Sequence, residues 1–327
     1  MYKGRPSAMG GAYSFMSNVH DLTAIVELTL SLKSANTKRR YTSVWSEWIN
    51  HVGMDRSRMT QAEGARYLAS CKARPAQPGR SREVGAKCST ATVHHKAVIL
   101  SALYEELISY KLFSDNPFRR LKKDFAKSKT GDRRPHNLIT PEQVKLILSL
   151  PHRNKEGIRD AAILGVLFGC GLRRSELTKI NLDDIKTTEH GSVYLRLLDT
   201  KSGVTQQVAV ADWVLTSINN LVEQRRQELG GKSGPLFCAY YADNPTRQNI
   251  SVSTVYRVFK YYCKAAGLGE AFTPHCARAT AITHLLNQGY SHRDVCHFSR
   301  HSSIQMVERY DKRRLSVEDS IAKKIAY

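Results

Sequence analysis

The helical spacing of apolar residues in the first 110 positions is the feature that most constrains how this chain can fold. After Asn36, a candidate N-cap, apolar side chains recur every three or four residues and so share one face of a helix. They are Tyr41, Val44, Trp45, Trp48, Ile49 and Val52. This helix is the clearest element in the first half of the chain.

Three further segments of the first half have helical patterns. Residues 21–33 form a short amphipathic run, Thr60 and Glu63 have the spacing of a capping box that opens a helix through Ser70, and Ser89 begins another helix. The apolar stripe of that last helix comprises Val93, Ala97, Leu100, Tyr104, Leu107 and Ile108. Residues 72–87 contain two prolines and two glycines and are predicted to form a loop. The first half is therefore predicted to be a small bundle of helices.

The second half opens with a helix start, because Thr140, Pro141 and Gln143 stand in the order of an N-cap, a first-turn proline and a capping-box partner. An apolar segment then predicts one helix over roughly 155–180.

Two short strands are predicted by the alternating patterns of residues 192–198 and 206–210, with a turn at 200–204 between them. Everything after Trp213 has a helical pattern. The predicted fold class is mainly α with a small β component.

Length and charge narrow the class of protein. A chain of 327 residues is long enough for two domains. Its 50 Lys and Arg against 29 Asp and Glu give a formal net charge of +21, which favours a polyanionic partner and nucleic acid first. The longest apolar stretch, around 161–170, is too short to span a membrane, and the N-terminus lacks the pattern of a signal peptide. A cytoplasmic protein is expected.

The seven cysteines are widely separated and form no CxxC pair, so reduced and mostly buried thiols are predicted. Cys296 beside His297 is the one adjacent Cys/His pair. A structural zinc site needs clustered ligands, so a small helix residue near a surface histidine is the favoured interpretation. No metal and no cofactor are predicted.

A run of cations marks the expected domain boundary. It comprises Arg119, Arg120, Lys122, Lys123, Lys127, Lys129, Arg133 and Arg134. A solvated linker and a linker that follows a DNA backbone are equally compatible with such a run. The candidate DNA contacts are Lys38, Arg39, Arg40, Arg119, Arg120, Lys122, Lys123, Lys127 and Lys129.

Two segments of the second half carry cations that could act on a phosphate. In LFGCGLRRSELTKINLDDI, residues 167–185, a glycine-bounded turn brings Arg173 and Arg174 to a helix start, where guanidinium and N–H groups could bind an anion. In DTKSGVTQQVAV, Lys201 lies at a hairpin tip. Taken alone, a surface arginine pair and a solvated hairpin lysine are the simpler interpretations.

Two later segments add histidines and a tyrosine. In TPHCARATAITHLLNQG, His275 and Arg278 are three residues apart and share the face of a helix that begins at Pro274. In SRHSSIQMVERYDKRR, Tyr310 follows His301 by nine residues and has cationic neighbours. A surface histidine and a core tyrosine are the ordinary alternatives.

The order Arg, Lys, His-x-x-Arg, His, Tyr resembles the signature of the tyrosine recombinase, or phage integrase, family. GLRRSEL resembles the family's first arginine box, HCARATAITHLLNQG its second box, and SRHSSIQMVERY its final histidine and nucleophile box. This resemblance covers roughly residues 140–315, and the helical first half with its closing NPFRRLKK is similar to the family's core-binding domain.

The resemblance implies a fold and a division into domains. The expected fold is an N-terminal helical core-binding (SAM-like) domain followed by a mixed α/β catalytic domain of the integrase type, which together form a C-shaped clamp on DNA. The expected boundaries are a flexible tail over 1–20, the core-binding domain over 21–124, a basic linker over 125–138 and the catalytic domain over 139–327.

The resemblance also implies roles for six residues. Arg173 and Arg278 bind the non-bridging phosphate oxygens and His301 donates a further hydrogen bond. Tyr310 is the nucleophile, His275 accepts its proton, and Lys201 protonates the leaving 5′ oxygen.

This sequence departs from the family pattern at three places. Arg300 stands where the family usually has glycine, Ala279 stands where a histidine often follows the second arginine, and TQQVAV lacks the usual basic residue and proline.

The implied activity is site-specific cutting and rejoining of DNA through a 3′-phosphotyrosyl intermediate, without metal or ATP. The implied partners are double-stranded DNA with short inverted repeats and three further copies of the chain, docked through a C-terminal helix at 316–327. Packing of that helix on its own domain is the alternative. A type IB topoisomerase and a helical DNA-binding regulator without activity are the rival functions.

Overall fold

The structure is a computed structural model that describes residues 19–73, 88–127, 137–198, 204–241 and 244–311. The chain divides into two compact units, residues 1–134 and 135–327. The predicted tail at 1–20 lies almost entirely outside the described residues. Most of the predicted loop at 72–87, most of the predicted basic linker and all of the predicted C-terminal helix at 316–327 lie outside them as well.

The first unit is helical throughout its described residues. Its helices are α1 (Val19–Ser31), α2 (Ala35–Val52), α3 (Gln61–Ala73), α4 (Thr90–Ser109) and α5 (Arg119–Lys127). Asn36 is not the N-cap of α2, because the helix already begins at Ala35, after Ser34. The two other predicted caps are confirmed, since Thr60 accepts from the N–H of Glu63 and Ser89 accepts from the N–H of Thr92.

The core of the first unit is built around Trp48, which is fully buried. Its ring contacts Tyr67 and Phe118 edge-on, and its Nε1 donates to Tyr104 Oη over 3.0 Å. The indole therefore buries its apolar surface and keeps its one donor satisfied. The apolar stripes predicted for α2 and α4 face this core, except for Ile108 at the end of the α4 stripe.

The second unit contains helices, a three-stranded sheet and a two-stranded sheet. Its helices are α6 (Pro141–Ser149), α7 (Lys155–Gly169), α8 (Arg174–Leu177), α9 (Asp212–Glu228), α10 (Val252–Ala265), α11 (Pro274–Asn287), α12 (His292–Ser299) and α13 (Ile304–Glu308). Its strands are β1 (Ile185–Thr187), β2 (Val193–Leu197), β3 (Gln206–Ala209), β4 (Cys238–Tyr241) and β5 (Asn244–Asn249). In the part of the chain that the structure describes, no helix has the length and hydropathy of a membrane span.

Both sheets are antiparallel. In the first, β2 lies between β1 and β3, with Leu195 opposite Ile185 and Val208. The second pairs β4 with β5, so the prediction that everything after Trp213 is helical is wrong. The segment CAYY of β4 is too short to show a period and has the aromatic residues that strands favour.

The predicted long helix over 155–180 is also wrong, because α7 ends at Gly169 and only the single turn of α8 follows. Gly171 has a φ of +56°, which lies outside the helical region and interrupts the hydrogen-bond pattern. The predicted capping box at Thr140 and Gln143 is confirmed at the start of α6. Because α7 ends before Arg173, this residue lies in the turn at the start of α8 and not within a long helix.

Candidate active site

The turn between α7 and α8 holds Arg173 at a fixed position. Gly171 has a positive φ, which favours glycine, and a Cβ atom there would also make a tight contact of 3.0 Å with the ring of Phe298. The backbone N–H of Arg173 donates to Glu176 Oε2 over 2.8 Å, which closes the turn at the start of α8. The Arg173 guanidinium donates to the other carboxylate oxygen over 2.6 Å. This side chain is 42% exposed, so it can still reach a ligand.

Arg278 approaches the same turn from α11. It is 2% exposed, and its guanidinium donates to the backbone oxygens of Gly171 and Ser299. Burial, together with the positive charges of Arg173 and Arg300, lowers the pKa of Arg278 to about 10. The side chain therefore remains a cation at neutral pH. Because its hydrogen bonds go to carbonyls, its charge is not neutralised by a direct carboxylate partner at these positions.

His301 follows α12 and lies beside Arg278, with its Nε2 3.5 Å from a guanidinium nitrogen of that arginine. Its Nδ1 is 2.8 Å from Ser299 Oγ, which fixes the orientation of the ring. Burial lowers the pKa of His301 to about 4, and the charges of Arg278, Arg173, His275 and Arg300 act in the same direction. The imidazole is therefore neutral at neutral pH.

Tyr310 lies just after α13 and is 6% exposed. Its ring stacks on that of His301, with centroids 5.9 Å apart and an angle of 28° between the planes. The apolar side of the ring packs in a cluster with Ile282, Leu286 and Val307. Burial raises the pKa of Tyr310, although the charges of Arg278, Arg309 and Arg173 oppose this effect. The phenol is therefore protonated at neutral pH.

The two remaining predicted catalytic residues differ in what the structure says of them. His275 is exposed in the first turn of α11, and its charge contributes to the lowered pKa of His301, so it belongs to the same electrostatic cluster. Lys201 lies outside the described residues, in the segment between β2 and β3. The structure thus brings Arg173, Arg278, His301 and Tyr310 together from separate segments.

Sequence reasoning missed the partners that hold these side chains. Glu176 binds Arg173, and Ser299 offers its carbonyl to Arg278 and its hydroxyl to His301. Glu176 could have been found, because an acidic residue three positions after a helix N-cap commonly reaches back to it. Ser299 has no comparable sequence signal, because its contacts depend on how α11 and α12 pack.

Arg300 has a conformation that few residues with a side chain adopt. Its φ of +55° and ψ of 42° are left-handed, which costs roughly 1–2 kcal/mol when a Cβ is present. Its side chain is 6% exposed and donates to Glu176 Oε2 over 3.0 Å, to the Gly171 oxygen over 3.3 Å and to the Phe298 oxygen over 3.0 Å. The guanidinium therefore lies inside the cluster rather than in solvent.

Burial alone would raise the pKa of Glu176, but the charge of Arg300 and the hydrogen bonds and charge of Arg173 outweigh it and lower this pKa. Glu176 is therefore ionised at neutral pH. The guanidiniums of Arg173 and Arg300 both bind this carboxylate, and that of Arg278 lies nearby on the Gly171 carbonyl. The cluster has an excess of positive charge, which suits it to bind an anion such as a phosphodiester.

The candidate DNA contacts of the first unit lie on its surface. Lys38, Arg39 and Arg40 are exposed in the early part of α2, and Arg39 and Arg40 line a groove of about 610 Å³ together with His95 and Lys96. The other members of the predicted set lie in α5, except for Lys129, which follows it.

The cations of α5 are partly engaged within the first unit. Arg119 forms a two-point ion pair with Glu105, and Arg120 lies 3.9 Å from Asp124. Lys122 is half-buried and Lys123 is exposed. The side chain of Lys127 and all of Lys129 lie outside the described residues.

The curated proteins similar in sequence to this chain include tyrosine recombinases. The chain is 27% identical over 226 residues to the tyrosine recombinase XerC of Herpetosiphon aurantiacus, a match that covers 68% of this chain and 69% of that protein. It is 32% identical over 178 residues to the tyrosine recombinase XerA of Pyrococcus furiosus, which covers 54% of this chain and 57% of the relative.

Solved structures show the same fold at lower identity. The XerH site-specific recombinase bound to a palindromic difH substrate matches with a TM-score of 0.70 and 15% identity, covering 94% of this chain and 85% of that one. The Tn1549 transposon integrase in complex with circular intermediate DNA matches with a TM-score of 0.64 and 20% identity, covering 93% and 99%.

The sequence model of the phage integrase family matches residues 137–315. That range contains the whole cluster around Glu176, which comprises Arg173, Glu176, Arg278, Arg300, His301 and Tyr310. With more than half of its length matched, and with tyrosine recombinases as its curated relatives, the chain belongs to the phage integrase family.

Proposed function

We propose that this protein is a site-specific tyrosine recombinase that cuts and rejoins DNA strands through a phosphotyrosyl intermediate. The observation that carries the proposal is the convergence of Arg173, Arg278, His301 and Tyr310, which come from four separate segments of a chain in the phage integrase family. A phenol beside a cationic cluster is what a metal-independent attack on a phosphodiester requires.

The cations would bind the scissile phosphate. The side chain of Arg173 is partly exposed, whereas the charged side chain of Arg278 is buried beneath it in the cluster. Planar guanidiniums match the geometry of two non-bridging oxygens and stabilise the charge that develops on them in the transition state. The neutral ring of His301 donates one more hydrogen bond, with Ser299 holding its Nδ1 side.

Tyr310 is the proposed nucleophile. Its oxygen bonds to phosphorus while the bond from phosphorus to the 5′ oxygen breaks, and His275 accepts the phenolic proton. Lys201, which lies outside the described residues, donates a proton to the departing 5′ oxygen. The products are a 3′-phosphotyrosyl ester and a free 5′ hydroxyl. Because burial raises the pKa of Tyr310, a base is needed at neutral pH.

Rejoining follows from the same chemistry. The phosphotyrosyl ester retains the energy of the original phosphodiester, so the 5′ hydroxyl of another strand can attack it and release Tyr310. No ATP is consumed in that exchange. This reversibility separates a recombinase from a hydrolytic nuclease.

The proposed partner is double-stranded DNA with short inverted repeats, contacted in part by the exposed cations of α2. Four copies of the chain assemble on two duplexes, with residues 316–327 docking on a neighbouring copy. The protein acts in the cytoplasm, in association with the nucleoid. The net charge of +21 supports a polyanionic partner, and relatives with solved structures are bound to DNA.

The test is capture of the covalent intermediate. A duplex is selected from a randomised pool by its binding to the protein, and single nicks are scanned across the selected site so that cleavage becomes irreversible. Wild type is expected to yield a protein–DNA adduct on denaturing gels, and Tyr310→Phe is expected to bind the duplex without forming it.

Two outcomes would contradict the proposal. An adduct formed by Tyr310→Phe would remove Tyr310 as nucleophile, and DNA binding without any adduct in wild type would indicate a non-catalytic regulator.

A second assay distinguishes a recombinase from a topoisomerase. A recombinase joins two copies of the selected site, whereas a topoisomerase relaxes a supercoiled plasmid that lacks the site.

A further inference from the structure

Arg300 occupies a position at which glycine would be the unstrained residue. Among the described residues, only Lys111 and Arg300 have a positive φ without being glycine. Lys111 lies in an exposed turn after α4, whereas the Arg300 side chain is buried beside the candidate active site. A strained backbone that carries a buried charge persists only where the surrounding contacts hold it in place.

The contacts of Arg300 join the segment after α12 to the turn that carries Arg173, and they share one acceptor with Arg278 of α11. Its guanidinium donates to Glu176, the carboxylate that also binds Arg173. It shares the Gly171 oxygen with Arg278. Its own backbone oxygen lies 3.4 Å from a donor nitrogen of Arg173. Each of the two proposed phosphate-binding arginines therefore has a hydrogen-bonded neighbour that Arg300 also contacts.

We propose that Arg300 is a positioning residue that holds Glu176 and the Gly171 carbonyl so that Arg173 and Arg278 converge on one phosphate. The proposal rests on the proposed function, since it assigns Arg300 a task in that reaction. Glycine at position 300 would relax the backbone but could not bridge these segments. The backbone of Arg300 is therefore in an unfavourable conformation, and the contacts of its side chain order the site.

Two substitutions of Arg300 distinguish a role in hydrogen bonding from a role in filling space. Arg300→Met retains much of the side-chain volume and the left-handed strain but removes every donor. Arg300→Gly relieves the strain and leaves a cavity shaped for a guanidinium. A small guanidinium compound in solution can therefore enter the site of the glycine variant, whereas the methionine side chain blocks it.

The experiment measures the single-turnover rate of covalent complex formation with the selected nicked duplex, at saturating DNA, together with the Kd for that duplex. Both variants are first confirmed as folded by circular dichroism at the assay temperature. We expect each to bind DNA within about threefold of wild type and to cleave roughly 10- to 100-fold more slowly, since small misplacements of catalytic groups have effects of that size. Ethylguanidinium at millimolar concentration is expected to restore part of the rate to Arg300→Gly and none to Arg300→Met.

Wild-type cleavage rates in both folded variants would overturn the proposal, and so would equal stimulation of both by ethylguanidinium. If either variant fails to fold, Arg300→Lys keeps the charge, and cleavage by it at the wild-type rate with unchanged Kd would also count against a positioning role for the planar fork. Tyr310→Phe runs in parallel. An adduct in that variant defeats the proposed function, whereas a Tyr310-dependent adduct that is indifferent to position 300 defeats only the role of Arg300.

Discussion

At the scale of single residues, the candidate active site contains a buried positive charge, that of Arg278. Arg278 is 2% exposed, and its guanidinium satisfies the carbonyls of Gly171 and Ser299 instead of a carboxylate. Hydrogen bonds to carbonyls offset part of the cost of removing a cation from water, yet they leave its charge available. The guanidinium is therefore already ordered, and its charge remains available to bind an anion.

His301 gives this charge distribution a measurable pH dependence. Its pKa falls from 6.5 to about 4 in the folded protein, through burial and the neighbouring charges of Arg278, Arg173, His275 and Arg300. Above pH 6.5 the ring is neutral in both the folded and the unfolded state. As the pH falls from 6.5 towards 4, only the unfolded state takes up a proton there, so the free energy of unfolding decreases. Partial solvent exposure limits the effect to on the order of 1 kcal/mol.

We predict that His301→Gln loses less stability between pH 7 and pH 5 than wild type does, as measured by urea unfolding at both values. Glutamine stays neutral over this range in both the folded and the unfolded chain, so the difference in proton binding at this position disappears. His190→Gln, an exposed substitution in the turn between β1 and β2, is the matched control and should behave as wild type. Identical pH dependence in His301→Gln and wild type would contradict the prediction.

Motif order in the sequence predicts which side chains belong to the candidate active site, but not the contacts that hold them in place. Arg173, His275, Arg278, His301 and Tyr310 follow from motif order, and the structure brings four of them into one cluster. The contacts of Ser299 with Arg278 and His301 arise only when α11 packs beside α12. Patterns along the chain report spacing on one element, whereas such contacts join elements that are distant in sequence.

At the scale of elements, the most informative difference from the sequence-based prediction is the end of α7. Leu172, Leu177 and Ile180 continue an apolar pattern, so one helix was expected over 155–180, and all three are indeed buried. The chain reaches those positions through the Gly171 turn instead of a continuous helix. Apolar spacing predicted which residues are inside, but not the break that frees Arg173.

Gly169, the last residue of α7, lets this helix approach α9 closely. A Cβ there would lie 2.5 Å from Val214 Cγ2 and 2.8 Å from Trp213 Cζ2. Val214 is 1% exposed and β-branched, so it has little freedom to move aside. The close approach fixes the start of the turn that carries Arg173.

We predict that Gly169→Ala lowers the free energy of unfolding by about 1–3 kcal/mol, as expected when a methyl group is forced into a packed contact. Gly269→Ala is the control, because a Cβ at Gly269 has no atom within 4 Å. That variant should be unchanged or slightly more stable, since alanine restricts the unfolded chain. Urea unfolding of both variants provides the measurement, and equal stability of the two would show that the contact between α7 and α9 tolerates a methyl group.

At the scale of the whole molecule, charge is distributed over both units while the proposed chemistry is confined to one. The first unit has no member of the cluster around Glu176 among its described residues, yet it carries an exposed group of cations on α2, Lys38, Arg39 and Arg40. We propose that these cations contact DNA phosphates, and contacts of that kind position a protein on DNA without taking part in the reaction. Salt dependence can therefore isolate their contribution from that of the active site.

We predict that replacing Lys38, Arg39 and Arg40 together with glutamine makes DNA binding less sensitive to salt. For each phosphate that the variant no longer neutralises, the slope of log K against log salt concentration should fall by roughly 0.9, because fewer condensed counterions are released on binding. The measurement is a binding titration of the selected duplex at several salt concentrations. At saturating DNA, the rate of covalent complex formation should stay near that of wild type, since the residues proposed to act on the scissile phosphate are untouched.

The control removes the same charge elsewhere, through Lys145→Gln, Arg226→Gln and Lys232→Gln, all exposed in the second unit. Arg226 lies near the far end of α9, twelve residues and about 18 Å along the helix from Val214, which packs near the Arg173 turn. If net charge alone governed binding, both triple variants would lower the slope equally. A reduced slope only in the α2 variant would instead assign phosphate contacts to that helix.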